Sequence, residues 1–577
     1  MKNIFNNINI NNINKLYDLY LKSEQNRLIK RKDASLNAVI VFPNYYGVAM
    51  SNLGFLRAYE LINQSGFISC DRAFLQDDTS KGIISLETGK RLQTYDLIFF
   101  SLSYENDFYN ILSILDAGQI PFLSADRDKT FPLIMAGGVI AFLNPEPVAP
   151  IFDMLFVGEA EAIFPDFFKN IEKHNRISLK KNKNEIIEDC GKISGIYVPA
   201  AYQFIFDAKK VNVLKEIKIL PRFPEKIKRR WAGKDFISSS AITTKFSELS
   251  NINMIEIERG CKRGCRFCSA GYIYLPLRES KPDDVLKTIE SLNENEKAGF
   301  VGLGTMDSKN IRRFMEFSLN SKKPFSLSSI RFDCLDENNL NLIKETGLKT
   351  ITLGIETGSS RLKRLINKDI KNEEIIIVLK NIIEKGIMNI KSYFMVGLPC
   401  EEKQDLDETI NLIKTMQKEF VSSSKINKRI GSLTVSFSPF VPKAWTPLQW
   451  ENLEDLTILR HKMDYISNSL KHLPNLNIKI NQVKSAYIEA FFARGSRLSL
   501  DILINSHKNK ISLKKAAKSS GFNINDFIRK FNTNELLPWE IIDQGVTKKY
   551  LLKEYKNSTL FKTTPQCFEG CKRCGVC

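Results

Sequence analysis

The sequence predicts an α/β protein with three parts: a doubly wound N-terminal domain, a partial (β/α)6 barrel and a mainly helical C-terminal region. Three observations carry this reading. Short continuous apolar runs, such as Ala38–Phe42, Asp96–Ser103 and Pro132–Ala136, alternate with helical patterns in the first third of the chain. Parallel strands buried on both faces read this way. Six further strand–helix units follow between about 251 and 450, and past them the patterning is mainly helical to about 545.

Residues 1–35 read as a helical lead-in with a basic end from Arg27 to Lys32. The α/β domain is assigned to 36–170, with a helical pattern over Leu56–Gln64 after its first strand. Sheets of this kind bind ligands outside the carboxyl ends of their strands, where Asn44–Tyr46, Ser101–Tyr104 and Gly137–Gly138 fall. A polar, basic connector occupies 171–245 and includes the strand-like run Ser194–Pro199. The barrel is assigned to 246–455. Its strands are Met254–Ile257, Gly299–Gly304, Phe325–Asp333, Lys349–Glu356, Ile390–Pro399 and Leu433–Pro442, with helices such as Lys371–Lys385 and Asp405–Phe420 between them. Catalytic groups in such barrels sit at the C-terminal strand ends. Residues 456–577 form the helical region and end in a Cys-rich tail.

Composition narrows the class. A chain of 577 residues with 43% hydrophobic and 26% charged residues is an ordinary multi-domain globular protein. Most of its eleven Cys fall in two arrays, which points to metal binding in a reducing compartment and not to a disulfide framework. The N-terminus lacks a signal-peptide core, and no window of about 18 residues is free of charges or Pro/Gly breaks. A cytoplasmic protein with no membrane partner is expected. The formal charge, 84 − 65 = +19, admits contact with RNA or another polyanion. The same charge also follows from a Lys-, Asn- and Ile-rich composition that builds no groove, and the densest basic run, Lys226–Arg230, reads as a solvated face.

The most specific motif is Glu258-Arg-Gly-Cys-Lys-Arg-Gly-Cys-Arg-Phe-Cys-Ser-Ala-Gly271. It sets Cys261, Cys265 and Cys268 in a C-x3-C-x2-C array after a strand, in a loop punctuated by Gly. Three thiolates are one short of the four that close an iron–sulfur or structural zinc site. A 4Fe–4S cluster held by three Cys keeps one iron open to a small molecule; a zinc knuckle with a distant fourth ligand is the other reading. Lys262, Arg263 and Arg266 would suit an anionic cluster and a ligand carboxylate.

This array, with Phe267 before its last Cys, resembles the cluster loop of the radical S-adenosylmethionine (SAM) enzymes. The resemblance implies a 4Fe–4S cluster whose open iron chelates the SAM amino and carboxylate groups. One electron then breaks the sulfur–C5′ bond and releases a 5′-deoxyadenosyl radical. It also implies TIM-barrel-like architecture and a reducing partner such as flavodoxin or ferredoxin. Gly354–Ser359 with Arg361 is similar to the fourth-strand motif, making Glu356 the candidate for the SAM ribose or ammonium; a turn Glu facing water is the alternative. Tyr393–Pro399, with Met395 and Gly397, is similar to the fifth-strand adenine motif, although its apolar residues also suit barrel core. Gly302, Gly304 and Thr305 occupy the place of the second-strand motif that binds the SAM amino group, but lack its acid.

Residues 38–168 resemble the cobalamin-binding, Rossmann-like domain often fused ahead of radical SAM cores, notably in Asn144-Pro-Glu146 and Phe152–Glu161. The His that ligates cobalt from below is missing: Pro43–Gly47 stands in its place. The domain therefore binds cobalamin without a His, holds another ligand, or serves packing alone. With Arg259–Glu279, Phe440–Trp450 and Glu489–Arg497, about nine tenths of the chain resembles a bacterial radical SAM family of this organisation. Relatives carry a His where Trp445 stands. The tail, Cys567, Cys571, Cys574 and Cys577, has C-x3-C-x2-C-x2-C spacing and reads as a second iron–sulfur cluster, a zinc site, or a redox-active or disordered end. Cys70, Cys190, Cys334 and Cys400 show no ligand spacing. The function expected is cobalamin-assisted methyl transfer to an unactivated carbon. The alternatives are an RNA- or protein-modifying enzyme, such as a sulfur-inserting one, that does not use cobalamin, and a non-catalytic iron–sulfur sensor.

Overall fold

The computed structural model describes residues 13–28, 33–78, 82–208, 210–233, 237–294, 296–327, 330–426 and 428–576. Its N-terminal sheet contains β1 (Leu36–Phe42), β2 (Ile68–Phe74), β3 (Leu97–Ser101), β4 (Leu133–Gly137), β5 (Met154–Phe156) and β6 (Ile196–Tyr197), in the order β2-β1-β3-β4-β5-β6. The first five strands are parallel and β6 runs antiparallel to β5. The continuous apolar runs are explained by burial: every residue of β3 is buried, because α2 (Leu53–Gln64), α3 (Phe108–Ala117) and α4 (Ala160–Ile171) cover the sheet. Asn52 starts α2 by accepting the Phe55 N–H.

Helix α1 (Ile13–Ser23) closes the first loop. Tyr20 stacks on Tyr46 with ring centroids 3.9 Å apart, and the buried Glu24 pairs with the buried Arg72 at 2.8 Å. The rest of the expected lead-in, residues 1–12 and 29–32 with most of its basic end, lies outside the described residues.

The second half is built on β7 (Ile252–Glu256), β8 (Lys297–Val301), β9 (Phe325–Leu327), β10 (Thr350–Glu356), β11 (Asn389–Val396), β12 (Ser432–Pro439) and β13 (Leu476–Ile480). All pair in parallel, as β7–β9 and β10–β13, and a bridge from Ile330 to Leu353 joins the two ladders. The seventh strand, β13, falls inside the region read as helical. Its residues are mostly exposed, so its apolar signal is weak, and pairing with β12 decides its conformation. On the other edge, the connector covers β7: Ser240 donates to the Met254 carbonyl and Glu256 to that of Ser238, each at 2.9 Å.

Alternate residues of β10 and β11 are buried on the helix side, leaving Thr352, Gly354, Lys391, Tyr393 and Met395 on the opposite face. Closed barrels fill that interior with bulky branched side chains. Here Tyr393 is 43% exposed, and the interior is open.

The late segments singled out by resemblance tie the halves together. The Asn144 amide donates to the carbonyls of Ala493 (3.1 Å) and Gly495 (2.9 Å). Arg497 pairs at 2.8 Å with the fully buried Glu146, which also accepts from Tyr197. Lys443 bridges Glu105 and Glu489 at 2.7 and 2.8 Å. Trp445 is buried and donates its indole N–H to the Leu143 carbonyl, so it packs the interface. The basic run Lys226–Arg230 is a solvated face only in part: Lys226 and Lys228 are exposed, Arg230 is half-buried and Arg229 is buried. Ile227 and Lys228 pair with Ile542 and Asp543, Arg229 is buried against the Leu275 carbonyl, and Arg230 pairs with Asp166.

Truncating one member of a buried ion pair leaves an uncompensated charge, at a cost of about 3–5 kcal/mol. Arg497→Ala should accordingly lower the thermal-unfolding midpoint, with Arg497→Lys recovering part of it. An unchanged midpoint would show that Glu146 is satisfied without Arg497.

Candidate functional site

The cysteine loop grows out of β7. Glu258 and Arg259 pair antiparallel with Arg278 and Glu279, which closes the loop at its base. Gly260, at φ 99°, turns the chain where a Cβ would lie 2.7 Å from the Tyr274 carbonyl oxygen. Cys268 N–H donates to the Cys265 carbonyl, and all three cysteines are half-buried. Burial first, and then the neighbouring thiols, push Cys261 up to about 11 and Cys268 to about 12. Thiols that disfavour one another's ionisation in this way suit a cationic metal centre, which reverses that bias on binding. Among the described residues, no three His, Cys, Asp or Glu side chains close on a single-ion site. The donor set fits a cluster with an open iron, which Cys261, Cys265 and Cys268 would hold.

Two of the loop's three basic residues do not point freely at these thiols. Arg263 pairs with Asp307 and Asp333. Arg266 is fully buried and donates to Glu554 (3.1 Å), to the carbonyls of Arg364, Leu365 and Lys562, and to the Thr564 hydroxyl. It anchors the loop to the C-terminal segment, so its expected role opposite a cluster or a ligand carboxylate is corrected.

At the end of β8 the missing acid has a neighbour. The Gly304 N–H donates to the Glu258 carboxylate at 2.5 Å, and a Cβ on Gly302 would lie 2.5 Å from Glu258 Cγ. Glycine there admits the carboxylate. Glu258 is buried, and burial, with Asp307 and Glu279 adding to it, pushes its carboxyl up to about 7. Thr305 is buried at the start of the turn that carries Asp307. Glu258 was missed in the sequence reading although it opens the cysteine motif; only the fold shows that its side chain crosses to the next strand.

Glu356 ends β10 at φ 71°, beside an irregularity in the pairing with β11, and meets Lys368 at 2.9 Å. A non-glycine residue held at positive φ stores strain of the kind that collects at functional sites. Arg361 turns to Asp405 and to the Cys400 carbonyl (2.7 Å), with its guanidinium 5.0 Å from the Phe561 ring. Met395 packs with Phe267 in a small cluster around Leu362, Leu398 and Phe440. Gly397, at φ 83°, comes close to a helix: a Cβ would lie 2.6 Å from Leu459 Cδ2, and its N–H donates to Glu401. Of the tail cysteines, Cys567, Cys571 and Cys574 lie beside the cysteine loop, and Cys577 is outside the described residues. Cys334, read as isolated, sits 3.3 Å from Asp307.

A cavity of about 550 Å³ lies between the two halves. Phe99, Phe156 and Phe164 give it an apolar wall, with Asn52, Ser101 and Ser103 as polar groups. Gly137, Gly138 and Gly158 keep its sheet edge bare, and Glu256–Gly260 with Val301–Leu303 form the opposite side. Charge holds that junction. Glu159 pairs with Arg278 and Arg259, both at 2.7 Å, and Glu161 with Arg259 at 3.3 Å. Burial alone would raise Glu159, but the two guanidinium groups outweigh it and hold the carboxyl below its usual range.

Two family models match the chain: radical SAM proteins, N-terminal, over residues 54–199, and the radical SAM superfamily over 255–413. The uncharacterized protein MJ0966 of Methanocaldococcus jannaschii is 28% identical over 524 residues, covering 89% of this chain and 99% of its own. A tRNA-2-methylthio-N(6)-dimethylallyladenosine synthase of Fervidobacterium nodosum is 24% identical over 40% of this chain and 53% of its own. Among solved structures, the radical SAM methyltransferase TsrM from Kitasatospora setae, with cobalamin and a [4Fe-4S] cluster bound, aligns over 71% of this chain and 76% of its own at TM-score 0.47 and 12% identity. The cobalamin-dependent enzyme OxsB aligns over 91% and 79% at TM-score 0.46 and 14% identity.

Changing Cys261, Cys265 and Cys268 together to Ala should abolish 5′-deoxyadenosine formation from SAM while far-UV circular dichroism stays native. Cleavage at the wild-type rate would remove this array from the chemistry. A C-x3-C-x2-C loop at the first strand end of an open parallel barrel, inside a matching superfamily model, leads to one conclusion: the chain belongs to the radical SAM superfamily and is a radical SAM enzyme.

Proposed function

We propose that this enzyme transfers a methyl group to an unactivated carbon with the help of cobalamin held in the cavity between its two halves. The observation that carries the reading is the placement of that cavity. One wall is the carboxyl edge of a doubly wound sheet, and the other is the strand that leads into Cys261. A ligand there would touch both halves beside the cysteine loop. The cluster with SAM supplies an adenosyl radical, and cobalamin supplies a transferable methyl group.

The residues fit such a ligand in part of its demands. The aromatic wall and bare glycine edge suit a broad apolar macrocycle, and the nearby Asn and Ser side chains suit its amide groups. None of the four His lines the cavity, and the first loop is shut by the Tyr20–Tyr46 stack, so no imidazole of this chain reaches cobalt there. Glu258 takes the place of the acid missing after β8 and accepts the SAM ammonium beside Gly304. Glu356, oriented by Lys368, receives the ribose hydroxyls, and the open interior along Lys391 and Tyr393 admits the substrate. An external one-electron donor such as flavodoxin or ferredoxin completes the system.

Protein produced with the vitamin should carry corrin absorption bands. Their absence after reconstitution at saturating cobalamin would end this version. A hydrogen bond to a charged group contributes about 1.5–3 kcal/mol, so Glu258→Gln should weaken SAM binding roughly 10- to 100-fold by calorimetry on the reconstituted protein. Unaltered affinity would remove Glu258 from the ligand site.

A second reading is sulfur insertion into RNA or protein without cobalamin. It is favoured by the Cys-rich tail beside the cysteine loop and by the similarity to the tRNA-modifying synthase. A modified nucleoside lost from a deletion strain, and absent again on complementation with Cys265→Ala, would establish it.

A further inference from the structure

We infer that the C-terminal segment holds a second iron–sulfur cluster, set directly against the cysteine loop and passing electrons to the cluster there. Cys567, Cys571 and Cys574 share one narrow crevice with Cys261, together with Tyr272, Tyr550 and Arg573. The Cys567 N–H donates to the carbonyl of Lys262, the residue after Cys261, at 2.7 Å. Two cysteine arrays about 300 residues apart in the chain are thus neighbours in space.

The contact is built from several sides. Asn367 accepts the Thr564 N–H at 2.8 Å and donates to the carbonyls of Thr564 and Gly264 at 3.2 and 3.1 Å, stitching tail to loop. Arg266 holds Thr564 and the Lys562 carbonyl from within the protein. Thr547 N–H donates to the Cys574 carbonyl at 2.9 Å, and a Cβ on Gly575 would lie 2.7 Å from Thr547 Cγ2, so that turn requires glycine. Arg573 donates to the Cys571 sulfur at 3.1 Å and to the carbonyls of Pro565 and Gln566. A guanidinium beside the sulfurs offsets the negative charge of a thiolate-bound cluster. Cys571 and Cys574 are buried, as ligands of a closed centre are.

An all-thiolate donor set suits iron–sulfur or zinc. Proximity to Cys261 selects the redox-active choice, because a centre packed on the loop can exchange electrons with it. The electron count is simple. A low-potential one-electron donor protein reduces the tail cluster by one electron, and the tail cluster returns to its oxidised state as it reduces the loop cluster by one. No bond or proton changes hands. The relay rests on the loop being the radical cluster; the existence of the tail centre does not.

Full-length protein reconstituted anaerobically tests both statements. With the loop changed to Cys261→Ala, Cys265→Ala and Cys268→Ala, the intact tail should keep about four irons per chain and an electron paramagnetic resonance signal that SAM does not perturb. Cys571→Ser with Cys574→Ser should lose that signal and retain a SAM-perturbed one. A loop variant that holds no iron, or that holds zinc in its place, overturns the proposal even if the tail variant fails to fold. For the relay, the readout is the ratio of flavodoxin-driven to dithionite-driven 5′-deoxyadenosine formation. A fall in this ratio in the Cys571→Ser, Cys574→Ser protein supports electron transfer through the tail, and an unchanged ratio overturns it.

Discussion

Arg266 is the interaction on which the rest of the site depends. Its guanidinium is wholly buried and distributes its donors over Glu554, the Arg364 and Leu365 carbonyls, Lys562 and Thr564. Those partners belong to the helix after Glu356, the last helix (Lys548–Thr559) and the tail. A buried cation is tolerated only when it is paired and hydrogen-bonded throughout. One side chain between Cys265 and Cys268 therefore settles where the loop, the Glu356 motif and the C-terminal segment must meet.

A second set of charges does the same on the opposite side. Glu159 and Glu161 follow β5, and they hold Arg259 and Arg278 at the base of the cysteine loop. Such pairs add little net stability once desolvation is counted, but they are specific in geometry. Here they keep the carboxyl edge of the N-terminal sheet at a defined distance from β7, and the cavity is the space left between. The same logic explains why Glu258 can sit buried beside Gly302 and Gly304: two glycines give up side-chain volume so that a carboxylate can approach the backbone.

The family motifs divide into those that face the site and those that build the frame. Glu258, Glu356 and the three cysteines gather at the C-terminal ends of β7, β8 and β10. Asn144, Glu146, Trp445 and Arg497 are interface residues, joining segments 300 residues or more apart in sequence through hydrogen bonds to buried backbone and charge. The Gly397 N–H donates to Glu401, and Arg361 pairs with Asp405.

The sequence alone determined the alternation of strands and helices, because that signal is local: parallel strands buried on both faces must be continuously apolar. It also determined the three-cysteine loop, since the spacing of three Cys within eight residues is a property of the chain itself. Only the tertiary structure decided the exposed seventh strand, whose conformation comes from pairing with β12. It alone brought Glu258 to Gly304, sent Arg266 to a carboxylate 288 residues away, and set the tail cysteines against Cys261. These are contacts between distant segments, and which groups must be paired becomes defined only when packing removes the water that would otherwise satisfy them.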